Sequence, residues 1–110
     1  MRERSVERYL REKVKEAGGW AIKFAPAGTA GVPDRIVIWP GGRIDFVECK
    51  TFGGTVGPLQ QHRQEQLRAM GCNVFVISSS EEVRSYVGLP PSRLSEVCRE
   101  LARGSGPERA

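Results

Sequence analysis

Apolar residues follow two different spacings near the start of the chain, and each spacing predicts an element. Between residues 3 and 17 they recur at every third or fourth position, as on one face of an amphipathic helix. These residues are Val6, Leu10, Val14 and Ala17. Gly18 and Gly19 end the predicted helix, and large apolar residues then alternate from Trp20 to Phe24, as in a strand.

The rest of the chain continues with strands, glycine-rich loops and helices. A loop over Ala25 to Val32 leads to two β-branched and aromatic runs at 35–39 and 44–48, which predict a hairpin around Pro40-Gly41-Gly42-Arg43. After a second glycine-rich loop, the pattern predicts a helix that starts at Pro58 and stops at Gly71. The later elements are the strand Asn73–Ile77, a helix opening at Ser80 with a serine cap, and a last helix over Ser92–Ala102.

The length of the hairpin loop decides which side chains share a face, because directly opposed residues point to the same side of a sheet. A two-residue loop, Gly41-Gly42, would set Asp34 opposite Cys49. A three-residue loop, Pro40 to Gly42, would set Asp34 opposite Glu48 instead. We predict the three-residue loop or a compensating bulge, and an uninterrupted pairing of Asp34 with Cys49 would count against the site proposed below.

The order of these elements predicts an α/β fold with a mixed four-stranded sheet flanked by helices, in the order αβββαβα. The last strand should pair in parallel with the strand that carries Glu48, through a right-handed helical crossover. We expect one domain over residues 1–88, followed by a C-terminal helical extension and frayed tail over 89–110.

Composition narrows the class of protein. Of the 110 residues, 39% are hydrophobic and 27% are charged, which is typical of a folded soluble domain. The chain has neither a run of about 20 apolar residues nor the apolar stretch of a secretory signal, so we expect a cytoplasmic protein without membrane contact. Cys49, Cys72 and Cys98 are too widely spaced for a zinc knuckle or a redox pair. The net charge of +4 favours anionic partners only weakly.

Glu48-Cys49-Lys50, one hairpin after Pro33-Asp34, is the sequence feature that points to chemistry. Alternation along a strand puts Glu48 and Lys50 on one face, where Asp34 could join them. Two carboxylates and the backbone carbonyl of Cys49 are oxygen ligands that suit Mg²⁺, and the lysine could orient or deprotonate an attacking water. An acid-x-lysine triplet taken alone is more often a solvated charge pair, and Pro33-Asp34 alone is an ordinary turn.

Other polar and aromatic residues have less specific interpretations. Asp45 alternates to the face opposite Glu48 and is expected to be structural, and His62 is expected to be solvated or to contact a phosphate. Trp20 and Trp39 are expected in the core or in a dimer contact. Basic residues around the site could form a phosphate-binding rim; they are Lys23, Arg35, Arg63 and Arg68.

Several segments, in order, give the chain a resemblance to the VRR-NUC family of the PD-(D/E)xK nucleases, whose core is restriction-endonuclease-like. The resemblance covers the chain from about Glu3 to Val87. Its matching segments are Val6-Glu7-Arg8-Tyr9-Leu10, Lys23-Phe24, Gly31-Val32-Pro33-Asp34-Arg35-Ile36-Val37-Ile38, Phe46-Val47-Glu48-Cys49-Lys50, Pro58-Leu59-Gln60 and Val74-Phe75-Val76-Ile77. Each segment is weak evidence alone, whereas their order and spacing together are specific. Cys49 stands where the family often has a bulkier apolar residue, which affects packing only.

The resemblance implies a role for each matching polar residue. Asp34 and Glu48 match the metal ligands, Lys50 the catalytic lysine, and Glu7 the acid of the first helix, which could reach the metal through a water. Gln60 matches the glutamine of the following helix, with Gln61 as its competitor.

The implied protein is a Mg²⁺- or Mn²⁺-dependent nuclease acting on DNA rather than on a small molecule. It would be encoded by a bacterium or a phage and would resolve four-way (Holliday) junctions as a homodimer. The alternatives are a nicking or restriction-like nuclease that cuts duplex or flap DNA, and a DNA-binding module without catalysis.

Overall fold

The computed structural model of the protein describes residues 3–51 and 53–89, with side chains from residue 5 onward. The predicted helix Ser92–Ala102 and nearly all of the predicted extension lie outside these residues. The described elements are α1 Glu3–Glu16, β1 Trp20–Lys23, β2 Arg35–Ile38, β3 Ile44–Cys49, α2 Pro58–Ala69, β4 Asn73–Ile77 and α3 Ser80–Val87. The predicted α/β class and the order αβββαβα are confirmed.

The four strands form one mixed sheet in the order β1-β2-β3-β4. The first two pairings are antiparallel, and β3 pairs with β4 in parallel, as predicted. Arg35 lies opposite Val47, so the same register continued by one residue sets Asp34 opposite Glu48. At the turn, the Trp39 N–H donates to the Arg43 carbonyl at 2.9 Å. The hairpin therefore has the predicted three-residue loop.

The main hydrophobic core lies between the sheet and helices α1 and α3. A fully buried Val or Leu side chain contributes about 1.5–3 kcal/mol relative to exposure, and this face supplies most of the buried apolar side chains among the described residues. The residues of the core are Val6, Leu10, Val14, Val37, Val47, Cys49, Phe75, Ile77, Val83 and Tyr86. The predicted stripe of α1 is thus buried, apart from Ala17, which is exposed just beyond the helix.

Helix α2 packs against β4 from the face that carries Glu48. On that face, Trp20, Ile38 and Ile44 are direct cross-strand neighbours in one row. The exposed fractions of Trp20 and Ile44 are 64% and 50%. Trp20 is therefore not a core residue, whereas Trp39 packs against the core.

A buried carboxylate stabilises the hairpin end of the sheet. Asp45 is fully buried and accepts hydrogen bonds from the Tyr86 hydroxyl at 2.6 Å and from Trp39 Nε1 at 3.0 Å. Asn73 Nδ2 donates to the other oxygen, Oδ1, and Arg43 forms an ion pair with Oδ2 at 3.2 Å. Burial and the Asp45 charge raise the pKa of the Tyr86 hydroxyl, which stays protonated as a donor. Asp45 thus has the predicted structural place, away from Glu48.

Helix α3 begins at Ser80, as predicted, but its capping residue is Ser79. The Ser79 hydroxyl accepts a hydrogen bond from the Glu82 N–H at 3.1 Å, and the Glu82 carboxylate in turn accepts one from the Ser78 N–H at 2.7 Å. Within the described ranges, no helix combines the length and apolar character that a membrane crossing requires.

Candidate active site

The site begins with two acids that the sheet register places side by side. Glu48 lies near the end of β3 and is only 4% exposed, while Asp34 directly precedes β2. Asp34 Oδ1 accepts a hydrogen bond of 3.2 Å from the backbone N–H of Cys49. This bond fastens the Asp34 carboxylate to the strand that carries Glu48, so the two predicted acids are brought together.

The glycine-rich loop that precedes Asp34 is attached to α2. Gly31 has a φ of +84°, and a Cβ atom there would lie 2.7 Å from Cγ of Leu59. Arg63 Nε donates to the carbonyl of Ala30 at 3.0 Å. The close approach and the positive φ both require glycine, and they fix the path along which the loop delivers Asp34. The structure thus gives Arg63 a contact within the protein, and its contact with DNA stays a prediction.

Lys50 and Gln60 both reach Glu48. Lys50 Nζ and Gln60 Nε2 lie 3.2 and 3.1 Å from the same atom, Oε2 of Glu48. The carbonyl oxygen of the Gln60 side chain accepts a hydrogen bond from the Gly57 N–H at the start of α2. Gln60 is therefore held at both ends of its amide, which supports Gln60 rather than Gln61 as the glutamine of the site.

Glu7 approaches the acids from α1. Its carboxylate lies close enough to Asp34 to raise the pKa of that carboxyl. It also forms an ion pair with Arg35, with Oε2 of Glu7 3.8 Å from Nη2 of Arg35. The Arg35 side chain is only 12% exposed and points toward α1. Its burial does not favour the predicted phosphate contact. The signal was present in the sequence, because strand alternation puts Arg35 on the core face with Val37.

Lys23, His62 and Arg68 are also candidate phosphate contacts in the sequence, and the structure gives each a different position. Lys23 is exposed on the edge strand β1, next to Phe24, whose N–H donates to the Asp34 carbonyl at 2.8 Å. His62 is exposed on α2. Arg68 donates to the carbonyl of Val74 at 3.2 Å, within the fold. Lys23 is directly opposed to Arg35 and therefore belongs to the same face of the sheet, opposite to the face of Glu48. It is exposed at the sheet edge, and its contact with DNA stays a prediction.

Asp34 carries the clearest electrostatic signature of the site. Burial, its hydrogen bond with Glu7 and the nearby charge of Glu48 raise the pKa of Asp34 from 3.8 to about 8. The Cys49 N–H partly opposes that rise. A bound cation would relieve the repulsion between these acids.

The donor set fits a hard divalent cation. Among the described residues, no cluster of three or more His, Cys, Asp or Glu side chains is placed to hold a metal ion. Two carboxylates completed by backbone or water oxygens would still meet the usual requirement of Mg²⁺. The Cys49 thiol is unsuitable, since it is buried in the core and burial raises its pKa.

Comparison with known proteins agrees with this geometry. No protein-family model matches the chain. A protein of Acyrthosiphon pisum secondary endosymbiont phage 1, named "Putative nuclease p44", is 43% identical over 81 residues, which cover 74% of this chain and 87% of the relative. A solved structure described as a VRR_NUC domain is 36% identical, with a TM-score of 0.73, and the match covers 77% of this chain and 92% of that one. The chain therefore belongs to the VRR-NUC family of nucleases.

Proposed function

We propose that this nuclease is a divalent-metal-dependent DNA endonuclease whose centre consists of Asp34, Glu48 and Lys50. The observation that carries the proposal is the shared row of Asp34 and Glu48, with the Lys50 ammonium 3.2 Å from Glu48. Phosphodiester hydrolysis needs oxygen ligands for a cation and a positively charged group close to the reacting phosphate. These three side chains supply both.

The chain's own residues divide the work. Asp34, Glu48 and the backbone carbonyl of Cys49 would hold Mg²⁺ or Mn²⁺, with Glu7 reaching it through a water. A bound cation polarises the phosphate and lowers the pKa of water. Lys50 would orient or deprotonate the attacking water, whose oxygen adds to phosphorus as the bond to the leaving oxygen breaks. Gln60 holds Glu48 in place and donates toward the site.

DNA as the substrate is supported by the net charge of +4 and by the family. Lys23 and Arg63 are the basic side chains proposed to contact phosphates, since both lie on elements that flank Asp34 or its loop. Such contacts position the backbone without reading sequence. We therefore expect recognition of DNA shape rather than of a base sequence.

Resolution of four-way junctions by a homodimer is the specific form of the proposal. Paired incisions in a two-fold substrate need two centres related by similar symmetry. The exposed row Trp20, Ile38 and Ile44 offers an apolar surface that a second copy could cover. We place this activity in the cytoplasm of a bacterial host, whether the gene belongs to the bacterium or to a phage.

One cleavage assay tests the proposal. Labelled junction, flap and duplex DNA are incubated with the protein in Mg²⁺, Mn²⁺ or chelator, with Glu48→Ala and Lys50→Ala as controls. We expect metal-dependent incision of the junction that both variants lose. Preferential cutting of flap or duplex would favour a restriction-like nuclease, and binding without incision in either metal would favour a passive DNA-binding module. Activity that survives in both variants would exclude this centre.

A further inference from the structure

An arginine is buried next to the acidic cluster, which consists of Glu7, Asp34 and Glu48. Arg35 follows Asp34 in sequence but points to the opposite side of the sheet, toward α1. Its Nε atom is buried without a hydrogen-bond partner. A buried guanidinium is costly unless it is paired, so its partner indicates why it is there. That partner is the carboxylate of Glu7.

Glu7 therefore lies between a cation and an acid. Its carboxylate pairs with Arg35, with 3.8 Å between the nearest atoms, and lies beside Asp34. The Glu7 side chain is 27% exposed and sits at a helix surface, so without Arg35 it could turn away from Asp34 into solvent. Lys50 is the matching cation on the other side of the cluster, at Glu48.

We propose that Arg35 is a positioning residue: its buried guanidinium holds the Glu7 carboxylate against Asp34 and thereby sets the cation affinity of the site. This inference rests on the proposed function. It differs from a phosphate contact, which the burial of Arg35 does not favour. Residues that orient a metal site from behind typically change metal affinity or activity by about 10–100-fold when they are replaced.

A double-mutant cycle of Arg35→Gln and Glu7→Gln tests the inference, because coupled residues give non-additive effects. The first readout is the thermal midpoint in chelator. Arg35→Gln should lower the midpoint, because it removes a positive charge that offsets the repulsion between Glu7, Asp34 and Glu48. Adding Glu7→Gln removes one of these negative charges and should restore part of the loss. If Arg35 serves only in packing, Glu7→Gln should restore nothing. The absence of restoration would overturn the inference.

The second readout is Mn²⁺ binding, followed by calorimetry, together with junction cleavage. Arg35→Gln should weaken Mn²⁺ binding and lower kcat, each by about 10–100-fold, while KM for DNA stays unchanged. Arg35→Lys should recover most of the loss. In the Glu7→Gln background, Arg35→Gln should add little. A raised KM with a weaker salt dependence in both backgrounds would instead identify a phosphate contact and overturn the inference.

Arg43 provides a matched control. It is a second largely buried arginine of the same hairpin, with an unpartnered buried Nε, and it pairs with Asp45 at the far end of the sheet. Arg43→Gln should lower the thermal midpoint without changing Mn²⁺ affinity, and an equal loss of Mn²⁺ affinity would overturn the inference. If the wild-type protein cleaves no DNA, the proposed function fails, yet the chelator cycle still tests the coupling of Arg35 to Glu7.

Discussion

Gln60 and Lys50 donate to one oxygen atom of Glu48, from 3.1 and 3.2 Å, although they belong to different elements of the fold. Lys50 follows β3 directly, and Gln60 comes from the first turn of α2. A carboxylate held by two donors has fewer orientations open to it. The orientation of Glu48 is thus set before any ligand arrives.

The first prediction concerns Gln60. Gln60→Ala removes the amide that fixes Glu48, so we expect an activity loss of about 10–100-fold, by analogy with other residues that orient metal ligands. Gln61→Ala on the same helix is the control and should stay near wild-type activity. Initial cleavage rates measure both. Equal losses in the two variants would show that the contact between Gln60 and Glu48 does not contribute to cleavage.

The second prediction is that Asp34→Asn stabilises the metal-free protein while it abolishes cleavage. The pKa of Asp34 is raised from 3.8 to about 8, so the folded protein holds a proton that the unfolded chain releases above about pH 4. Stability from this group is therefore present at low pH and is lost as the pH rises from about 4 through about 8. Asparagine stays neutral and can keep the Cys49 bond.

Thermal unfolding in chelator at pH 5 and pH 8 measures this effect. The wild-type midpoint should fall between the two pH values more than that of Asp34→Asn. The variant should be more stable by several degrees at pH 8, since 1 kcal/mol corresponds to about 4–8 °C in a small domain. If the variant is less stable than the wild type at pH 8, the ionised Asp34 carboxylate does not destabilise the metal-free fold.

The third prediction separates two costs of replacing glycine. Gly28 and Gly31 both have positive φ, of +78° and +84°, but only a Cβ at Gly31 would meet another atom, 2.7 Å away on Leu59. A non-glycine residue at positive φ costs about 1–3 kcal/mol. Gly28→Ala should lose only that much stability, whereas Gly31→Ala should lose more and also lower activity, because the loop delivers Asp34. Denaturant unfolding and cleavage rates measure both, and identical effects would contradict the attachment of the loop to α2.

The fourth prediction concerns the exposed row on the sheet. If a second copy covers it, the double substitution Trp20→Ser and Ile44→Ser should convert a dimer into a monomer in analytical ultracentrifugation. Met70→Ser is the control, because Met70 is 82% exposed but belongs to the turn after α2 and not to this row. A dimer that survives the double substitution would place the interface elsewhere.

The register of the sheet is predictable from the sequence because strand alternation and loop length allow few pairings. The three-residue loop followed from requiring Asp34 and Glu48 to share a face, and the structure has that register. The partners of long side chains were less accessible. Strand alternation places Arg35 on the core face, but its pairing with Glu7 depends on how α1 packs against the sheet, which no local pattern gives.

Capping and loop attachment show the same limit. Ser78, Ser79 and Ser80 are equivalent candidates in the sequence, and the choice of Ser79 depends on where β4 ends. The bond from Arg63 to Ala30 joins residues far apart in the chain, which no local pattern could indicate. Spacing therefore predicts the acids and the lysine, but not the network behind them.

The most direct test of the central claim is a calorimetric titration of Mn²⁺ into the wild-type protein, Asp34→Asn and Glu48→Gln. Glu12→Gln, an exposed acid of α1, is the control. Binding in the wild type and the control, with loss in both site variants, is the predicted result. Wild-type Mn²⁺ affinity in both Asp34→Asn and Glu48→Gln would contradict a cation shared by these two carboxylates.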